Sequence, residues 1–197
     1  KNSSNDAGKY ETAVKTAVEK SKLPLILVSE NTAALEEALK IRATNKPLIY
    51  SANASNYEKM AGLAKQYSVP LTVSGKDLDE LADLTQKIAA LGVNDLIIET
   101  TRSGIAGKLA DLVQMRRLPL KKNFRPFGYP SIAVIPKQAS VFEELMQASA
   151  FICKYAGIVV LNELELWEHF SLVVLRQNIY TDPQKPIQVE SKIYEIG

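Results

Sequence analysis

Short apolar runs recur along the chain behind regularly spaced prolines. Pro24, Pro47 and Pro70 stand at intervals of 23 residues, and each opens a run of apolar side chains. Proline suits the first residue of a strand because its missing N–H breaks no ladder hydrogen bond there. The runs are continuous rather than alternating, as in parallel strands that are buried on both faces. The pattern predicts six strands, over Leu25–Val28, Leu48–Tyr50, Leu71–Val73, Leu96–Ile98, Ile132–Ile135 and Ile158–Leu161.

Segments with helical periodicity separate these strands. Apolar residues recur every three or four positions with charged residues on the opposite side, which indicates amphipathic helices. The predicted helices are Lys9–Lys22, Thr32–Ile41, Asn56–Tyr67 and Asp77–Leu91. We expect Asn31 and Ser55 to cap the second and third of these helices, and Gly92 to end the fourth.

The spacing of the units favours a (β/α) barrel. A repeat of about 23–25 residues per strand and helix is short and regular, as in such barrels, but a closed barrel needs about eight strands. We therefore predict an α/β fold, an incomplete TIM-type barrel of about six parallel strands with flanking helices, over residues 9–180. A helix precedes the first strand, so we expect the first two strands of the barrel to be missing. Residues 1–8 are expected to be disordered or a linker, and an open doubly wound sheet is the alternative architecture.

Composition and charge exclude several classes of protein. Apolar residues make up 46% of the chain and charged residues 23%, which is the balance of a folded protein. The net charge of +2 is too mild to predict nucleic-acid binding. No apolar run approaches the length of about 18 residues that a membrane span needs, so we expect a cytoplasmic protein with no membrane contact. The single cysteine, Cys153, lies in an apolar run and is expected to be a small buried residue in a reducing compartment.

Polar residues follow the predicted strands at their carboxyl ends, where barrels hold their sites. We expect this face to bind a small anion or a partner, although helix caps alone would also explain such residues. Ser51, Thr101, Lys137, Asn162 and Glu163 lie at these ends as well. The candidate residues are Ser29, Glu30, Asn53, Ser74, Glu99, Thr100 and Arg102.

The segment from Thr100 to Gly104 is the best single candidate for a ligand site. It leads into a helix, so its backbone N–H groups, two threonine hydroxyls and Arg102 could hold a phosphate or carboxylate. The stretch that follows, Gly104–Leu109, is not a phosphate loop. The spacing from Gly104 to Gly107 and Lys108 is too short, and Leu109 stands where a hydroxyl would bind magnesium.

The sequence predicts no catalytic and no metal-binding residues. One cysteine and one histidine cannot build a zinc or iron–sulfur site in a monomer. The histidine, His169, is expected on the surface of a helix or half-buried there. Glu99 has no second carboxylate beside it in the sequence, so it does not form a catalytic carboxylate pair. The sequence also shows no serine–histidine–aspartate arrangement that would predict a catalytic triad.

One dense basic patch lies between a predicted helix and the fifth strand. In a barrel this position falls on the face opposite the strand carboxyl ends. Two interpretations stay open: a solvated cluster that complements the helix dipole, or a surface that docks onto an acidic partner. The patch consists of Arg116, Arg117, Lys121, Lys122 and Arg125.

The same stretch carries a resemblance to a known family. Met115–Leu118, Lys121–Lys122 and Phe124–Pro130 resemble the large (gamma) subunit of the corrinoid iron–sulfur protein of the acetyl-CoA decarbonylase/synthase system. Leu175–Val189 resembles the end of that subunit's barrel. The segments Lys154–Ala156 and Tyr194–Gly197 agree, and the similarity extends from about Lys9 onward.

The resemblance implies a methyl carrier rather than a self-sufficient enzyme. In that family a methyltetrahydrofolate-dependent methyltransferase loads a methyl group onto cobalt(I), and methylcobalt(III) delivers it to acetyl-CoA synthase. A small barrel subunit pairs with the large one. The parent subunit is expected to carry a [4Fe–4S] cluster and a corrinoid (cobalamin) in domains that this chain lacks, so none of its residues is assigned to a cofactor.

The resemblance assigns the chain to the central barrel only. Residues 181–197 are then a linker toward an absent corrinoid-binding domain. The family is expected to have an Asp-Pro-Gly-like turn after the fourth strand, but this chain has Glu99–Arg102 there, which leaves a shared role for that loop open.

Three functions are therefore compared: a barrel scaffold of the carrier, a pterin-binding barrel methyltransferase, and a barrel that binds a phosphorylated ligand.

An incomplete barrel also has unpaired strand edges, which invite association. We expect edge pairing, a swapped dimer, or capping of an edge by the tail Ile187–Ile196.

Overall fold

The computed structural model describes residues 1–42, 46–138 and 140–180. Strands and helices alternate along this part of the chain. The strands are β1 (Ile26–Val28), β2 (Leu48–Ala52), β3 (Leu71–Gly75), β4 (Leu96–Thr100), β5 (Ile132–Val134) and β6 (Ile158–Val160). The helices are α1 (Ala7–Lys20), α2 (Thr32–Arg42), α3 (Tyr57–Tyr67), α4 (Leu78–Ala90), α5 (Ile105–Lys122), α6 (Val141–Cys153) and α7 (Leu166–Tyr180). The predicted linker 181–197, with its tail Ile187–Ile196, lies outside the described residues.

All neighbouring strands are parallel and follow one another in chain order. β1 to β4 form one sheet and β5 pairs with β6. A parallel bridge between Ile98 and Ser131, with the Ile98 N–H donating to the Pro130 carbonyl at 2.9 Å, joins β4 to β5. A doubly wound sheet would reverse its strand order at a switch point. The uninterrupted order, with a helix after each strand, confirms the incomplete barrel and excludes the alternative.

The hydrophobic core lies between the outer face of the sheet and the helices. Side chains alternate between the two faces of a strand, so residues two apart share a face. Leu71 and Val73 of β3 and Ile98 of β4 are fully buried in the core cluster. The opposite, inner face of the same strands carries Thr72 and Ser74, which are also buried. The sheet therefore has an apolar outer layer and a partly polar inner layer.

The helix termini confirm two of the three predicted caps and stops. The Asn31 side-chain oxygen accepts hydrogen bonds from the N–H groups of Ala33 and Ala34, at 3.0 and 3.3 Å. Gly92 has a φ of 90° and follows the last residues of α4, as predicted.

The prediction that Ser55 caps α3 was wrong. Its hydroxyl donates to the side-chain oxygen of Asn53 at 2.6 Å, and the helix begins only at Tyr57. Asn53 organises this turn with its own side chain, so the serine hydroxyl is used before the helix starts.

Two other predictions are corrected by the path of the helices. α5 continues through Pro119 to Lys122, so most of the basic patch lies within its last turns rather than after a helix. Cys153 is exposed, not buried, because Phe151 and Ile152 take the core-facing positions at the end of α6. The helical period turns the next residue toward solvent.

The amino-terminal segment contacts the first strand. Asp6 caps α1, accepting a hydrogen bond from the Lys9 N–H at 3.1 Å, and the Asn2 N–H donates to the Val28 carbonyl at 2.8 Å. Tyr10 and Val14 are the buried residues of α1 and belong to the hydrophobic core.

None of the described helices combines the length and the apolar character needed to cross a membrane.

Candidate functional site

A buried carboxylate stands at the carboxyl end of β4. Glu99 is 2% exposed. One of its oxygens accepts hydrogen bonds from the Tyr50 hydroxyl at 2.6 Å and from the Ser74 hydroxyl at 3.3 Å. The Lys108 ammonium lies 3.9 Å from its other oxygen and donates to the Val134 carbonyl at 2.8 Å. We call Tyr50, Ser74, Glu99 and Lys108 the Glu99 cluster.

The strand register and the start of α5 bring these four side chains together. Ser74 and Glu99 are direct partners in the parallel pairing of β3 and β4. Tyr50 lies on β2, the next strand across the sheet. α5 begins five residues after β4 ends, and Lys108 sits in its first turn, where it reaches back over the sheet. The cluster therefore connects β2, β3, β4 and β5 at one end of the barrel.

Burial governs the protonation of the cluster. It raises the pKa of the Glu99 carboxyl, and the hydrogen bond from Tyr50 and the charge of Lys108 oppose that rise. Burial also raises the pKa of the Tyr50 hydroxyl, and the neighbouring Glu99 carboxylate adds to the effect. Tyr50 is consequently a neutral donor, and Glu99 is a group that can hold a proton at a higher pH than an exposed glutamate.

Arg102 of the predicted anion segment makes an ion pair within the protein. Its guanidinium lies 3.0 Å from a carboxylate oxygen of Asp111, which is 2% exposed. The arginine stem crosses Gly107 so closely that a Cβ there would lie 2.8 Å from the arginine Cδ. The side chain is thus directed along α5, toward Asp111.

The remaining candidates make mainly local contacts. The Ser29 hydroxyl accepts from the Asn31 N–H at 3.1 Å, and Asn53 belongs to the turn with Ser55. Glu30 is exposed, whereas Thr100 is buried at the end of β4 opposite Gly75. Of the predicted residues, the structure brings only Ser74 and Glu99 into the Glu99 cluster.

Two members of the cluster were missed in the sequence. Tyr50 ends an apolar run, which indicates only a strand, and Lys108 lies in the stretch Gly104–Leu109, which does not match a phosphate loop. The alternation of side chains on β2 could have placed Tyr50 on the inner face with Ser74. Lys108 carries no comparable signal, because its role depends on how α5 crosses the sheet.

Comparison with known proteins identifies the relatives of this chain. A family model described as the CO dehydrogenase/acetyl-CoA synthase delta subunit matches residues 1–197. The corrinoid/iron-sulfur protein large subunit of Moorella thermoacetica is 43% identical over 98% of this chain and 43% of its own length. Subunit gamma 1 of the acetyl-CoA decarbonylase/synthase complex of Methanosarcina mazei is 34% identical, over 98% of this chain and 44% of its own. The chain therefore spans less than half the length of these relatives.

Solved structures support the barrel fold independently of sequence. Dihydropteroate synthase from Vibrio fischeri superposes with a TM-score of 0.67 at 14% identity, covering 88% of this chain and 74% of its own. Deoxyribose phosphate aldolase from Aeropyrum pernix gives a TM-score of 0.52 at 14% identity, covering 89% and 80%. At these identities the likeness concerns the fold alone.

The family assignment rests on the sequence comparisons instead. The match over the full sequence shows that the chain belongs to the CO dehydrogenase/acetyl-CoA synthase delta subunit family.

Proposed function

We propose that this chain is the barrel scaffold of a cytoplasmic corrinoid iron–sulfur methyl carrier. The carrier takes a methyl group from a methyltetrahydrofolate-dependent methyltransferase and passes it to acetyl-CoA synthase. In this proposal the barrel positions the cofactor-bearing parts of a longer protein and pairs with a small subunit. It performs no methyl transfer by itself.

The observation that carries the proposal is that polar groups at the strand ends already hold one another. Glu99 is engaged by Tyr50, Ser74 and Lys108, and Arg102 is engaged by Asp111. At Glu99 a ligand would have to displace contacts that connect neighbouring strands, and a buried polar group left without its partner is costly. Such an arrangement suits a rigid support better than an open binding face.

A [4Fe–4S] cluster does not fit the residues of this chain. Such clusters are commonly held by four cysteine thiolates, and the chain has a single cysteine, which is exposed. Within residues 1–42, 46–138 and 140–180, no group of three or more histidine, cysteine or acidic side chains could hold a metal ion. The proposal therefore places the cluster outside this chain, and it places the corrinoid there because the family resemblance implies a separate corrinoid-binding domain.

Titration of the chain with methyltetrahydrofolate, followed by calorimetry, tests the proposal against the pterin-binding methyltransferase. A scaffold is expected to give no saturable heat. Saturable micromolar binding that is lost in the Glu99→Gln variant would overturn the proposal and establish a pterin site at the strand ends. The same titration with inorganic phosphate, repeated on Arg102→Ala, addresses the phosphate-binding alternative.

Assembly with the small subunit provides the positive test. The chain and the purified small subunit are expected to co-elute in size-exclusion chromatography as one complex. Separate elution at concentrations well above micromolar would contradict a scaffold role.

A further inference from the structure

An open groove with a basic rim lies at the end of the barrel opposite the Glu99 cluster. α5 starts near the carboxyl end of β4 and ends near the amino end of β5, so its last turns lie at the far end of the sheet. Two adjoining cavities of about 620 and 540 Å³ open there. They share Asn123, Arg125 and Tyr129 in their walls. We call this feature the basic groove.

The walls of the basic groove are aromatic and apolar beneath the charges. Pro119 and Tyr129 line one cavity, and Phe124, Pro126 and Tyr129 line the other. The Phe124 ring packs edge-on against Phe127, with ring centroids 5.1 Å apart, and Phe127 is 3% exposed. This pair anchors the groove to the core, so its floor is a fixed surface on which an apolar side chain can pack.

The rim of the basic groove concentrates positive charge that the protein does not neutralise. Residues 112–142 contain six lysines and arginines and no aspartate or glutamate, although the whole chain has a net charge of only +2. Two of these cations, Lys122 and Arg125, line the groove, and three more lie on the last turns of α5 before it. All five are exposed. Within the described part of the chain, none of the five forms an ion pair. They are Arg116, Arg117, Lys121, Lys122 and Arg125.

The helix dipole explains only part of this charge. A cation is stabilised by the dipole within the last turn of a helix, which here contains Lys121 and Lys122. Arg116 and Arg117 lie further back along α5, and Arg125 lies beyond its end in a short 3-10 helix. The cations outside the last turn gain little from the dipole, so the dipole does not account for their clustering.

We propose that the basic groove binds an acidic segment of a partner protein, with its carboxylates on the rim and an apolar side chain on the floor around Tyr129. Charge complementarity selects the partner, because unpaired cations around an aromatic groove attract carboxylates and disfavour basic surfaces. The groove has room for a short peptide segment, and an apolar side chain of such a segment can pack on its aromatic floor. This proposal does not depend on the proposed scaffold function.

Fluorescence anisotropy of the full chain tests the proposal. The probe is a short fluorescein-labelled peptide of glutamates around one phenylalanine. We expect saturable binding that weakens as ionic strength rises. The double variant Lys122→Glu/Arg125→Glu is expected to weaken binding about ten-fold or more, because like charges then face the probe. The double variant Lys59→Glu/Lys76→Glu makes the same change in net charge at exposed positions in the first turn of α3 and just after β3, at the opposite end of the barrel. It is expected to change affinity by less than about two-fold.

Three outcomes would overturn the proposal. Equal losses in the two double variants would mean that the probe responds to net charge rather than to the basic groove. Equal affinity for a peptide whose phenylalanine is replaced by serine would mean that the aromatic floor takes no part in binding. Tighter binding of a single-stranded oligonucleotide of equal charge would assign the groove to nucleic acid instead. Circular dichroism of each variant confirms that the fold is retained.

Discussion

The four-stranded sheet and the β5–β6 pair are built from the same kind of unit but are buried to different degrees. Every residue of β3 is buried, whereas every residue of β6 is only half-buried. The helices differ in the same direction, because large apolar side chains on α6 and α7 face solvent. These are Phe142, Met146, Leu166, Trp167 and Phe170, which are between 44% and 82% exposed.

The difference shows that position in the sheet, more than strand composition, determines burial. β3 has a parallel neighbour on each side and helices packed across its outer face. β6 pairs with β5, and no second neighbour is found among the described residues. Its Ile158–Val160 segment is nevertheless as apolar as any other strand. Hydrophobic stabilisation is proportional to the apolar area removed from water, so the sheet of β1 to β4 carries most of it.

Matched isoleucine truncations test this difference and should give the largest effect. Ile98 of β4 is fully buried, and Ile158 of β6 is half-buried. Ile98→Ala is expected to lower the free energy of unfolding by about 3–4 kcal/mol, because it removes buried methyl groups and leaves a cavity. Ile158→Ala is expected to cost about 1 kcal/mol, since less area is buried and the site can relax. Urea denaturation measures both.

The two variants control for each other, because the chemical change is identical. Equal losses would mean that β6 is packed as tightly as the central sheet. Unchanged slopes of the denaturation curves would show that both variants unfold in the same transition.

Much of the outer layer of this fold was predictable from the sequence, whereas the inner layer was not. Prolines and continuous apolar runs located all six strands, because the strands of a parallel sheet carry apolar runs that are visible in the local sequence, even in β6, which is only half-buried. The Glu99 cluster depends on contacts across three strands and a helix, which only register and helix path can bring together. Cys153 shows the same limit, because one step of helical rotation separates it from the buried Ile152.

The second comparison concerns two tyrosines, one on the inner face of the sheet and one on a helix surface. The Tyr50 hydroxyl donates to buried Glu99 at 2.6 Å, and the Tyr57 hydroxyl donates to exposed Glu58 at 3.1 Å. Tyr50→Phe is expected to cost about 1–3 kcal/mol of stability, since it deprives a buried carboxylate of its shortest hydrogen bond. Tyr57→Phe should change stability by less than about 0.5 kcal/mol. Thermal or urea unfolding of the two variants measures this difference, and equal losses would mean that the hydrogen bond from Tyr50 to Glu99 adds little to stability.

The smallest expected effect is a pH dependence that arises at the same cluster. Burial raises the pKa of Glu99 above the ordinary value of 4.5, so the native state holds this proton more tightly than the unfolded chain. The tighter proton binding at Glu99 therefore contributes to stability. This contribution is fully present below the pKa of a glutamate in the unfolded chain, and it is lost as the pH rises through the raised pKa of Glu99 in the folded state. Glu99→Gln removes the titrating group while preserving the shape of the side chain and an oxygen that can accept from Tyr50.

Urea denaturation at a series of pH values from acidic to neutral measures this linkage. The stability of the unsubstituted chain relative to Glu99→Gln should fall with rising pH and become constant once Glu99 is ionised in both states. Glu19→Gln, at an exposed position on α1, controls for the loss of one negative charge. A relative stability that instead rises with pH would mean that Tyr50 and Lys108 outweigh the burial of Glu99. The protonation of Glu99 would then be governed by its ion pair and hydrogen bond rather than by its burial.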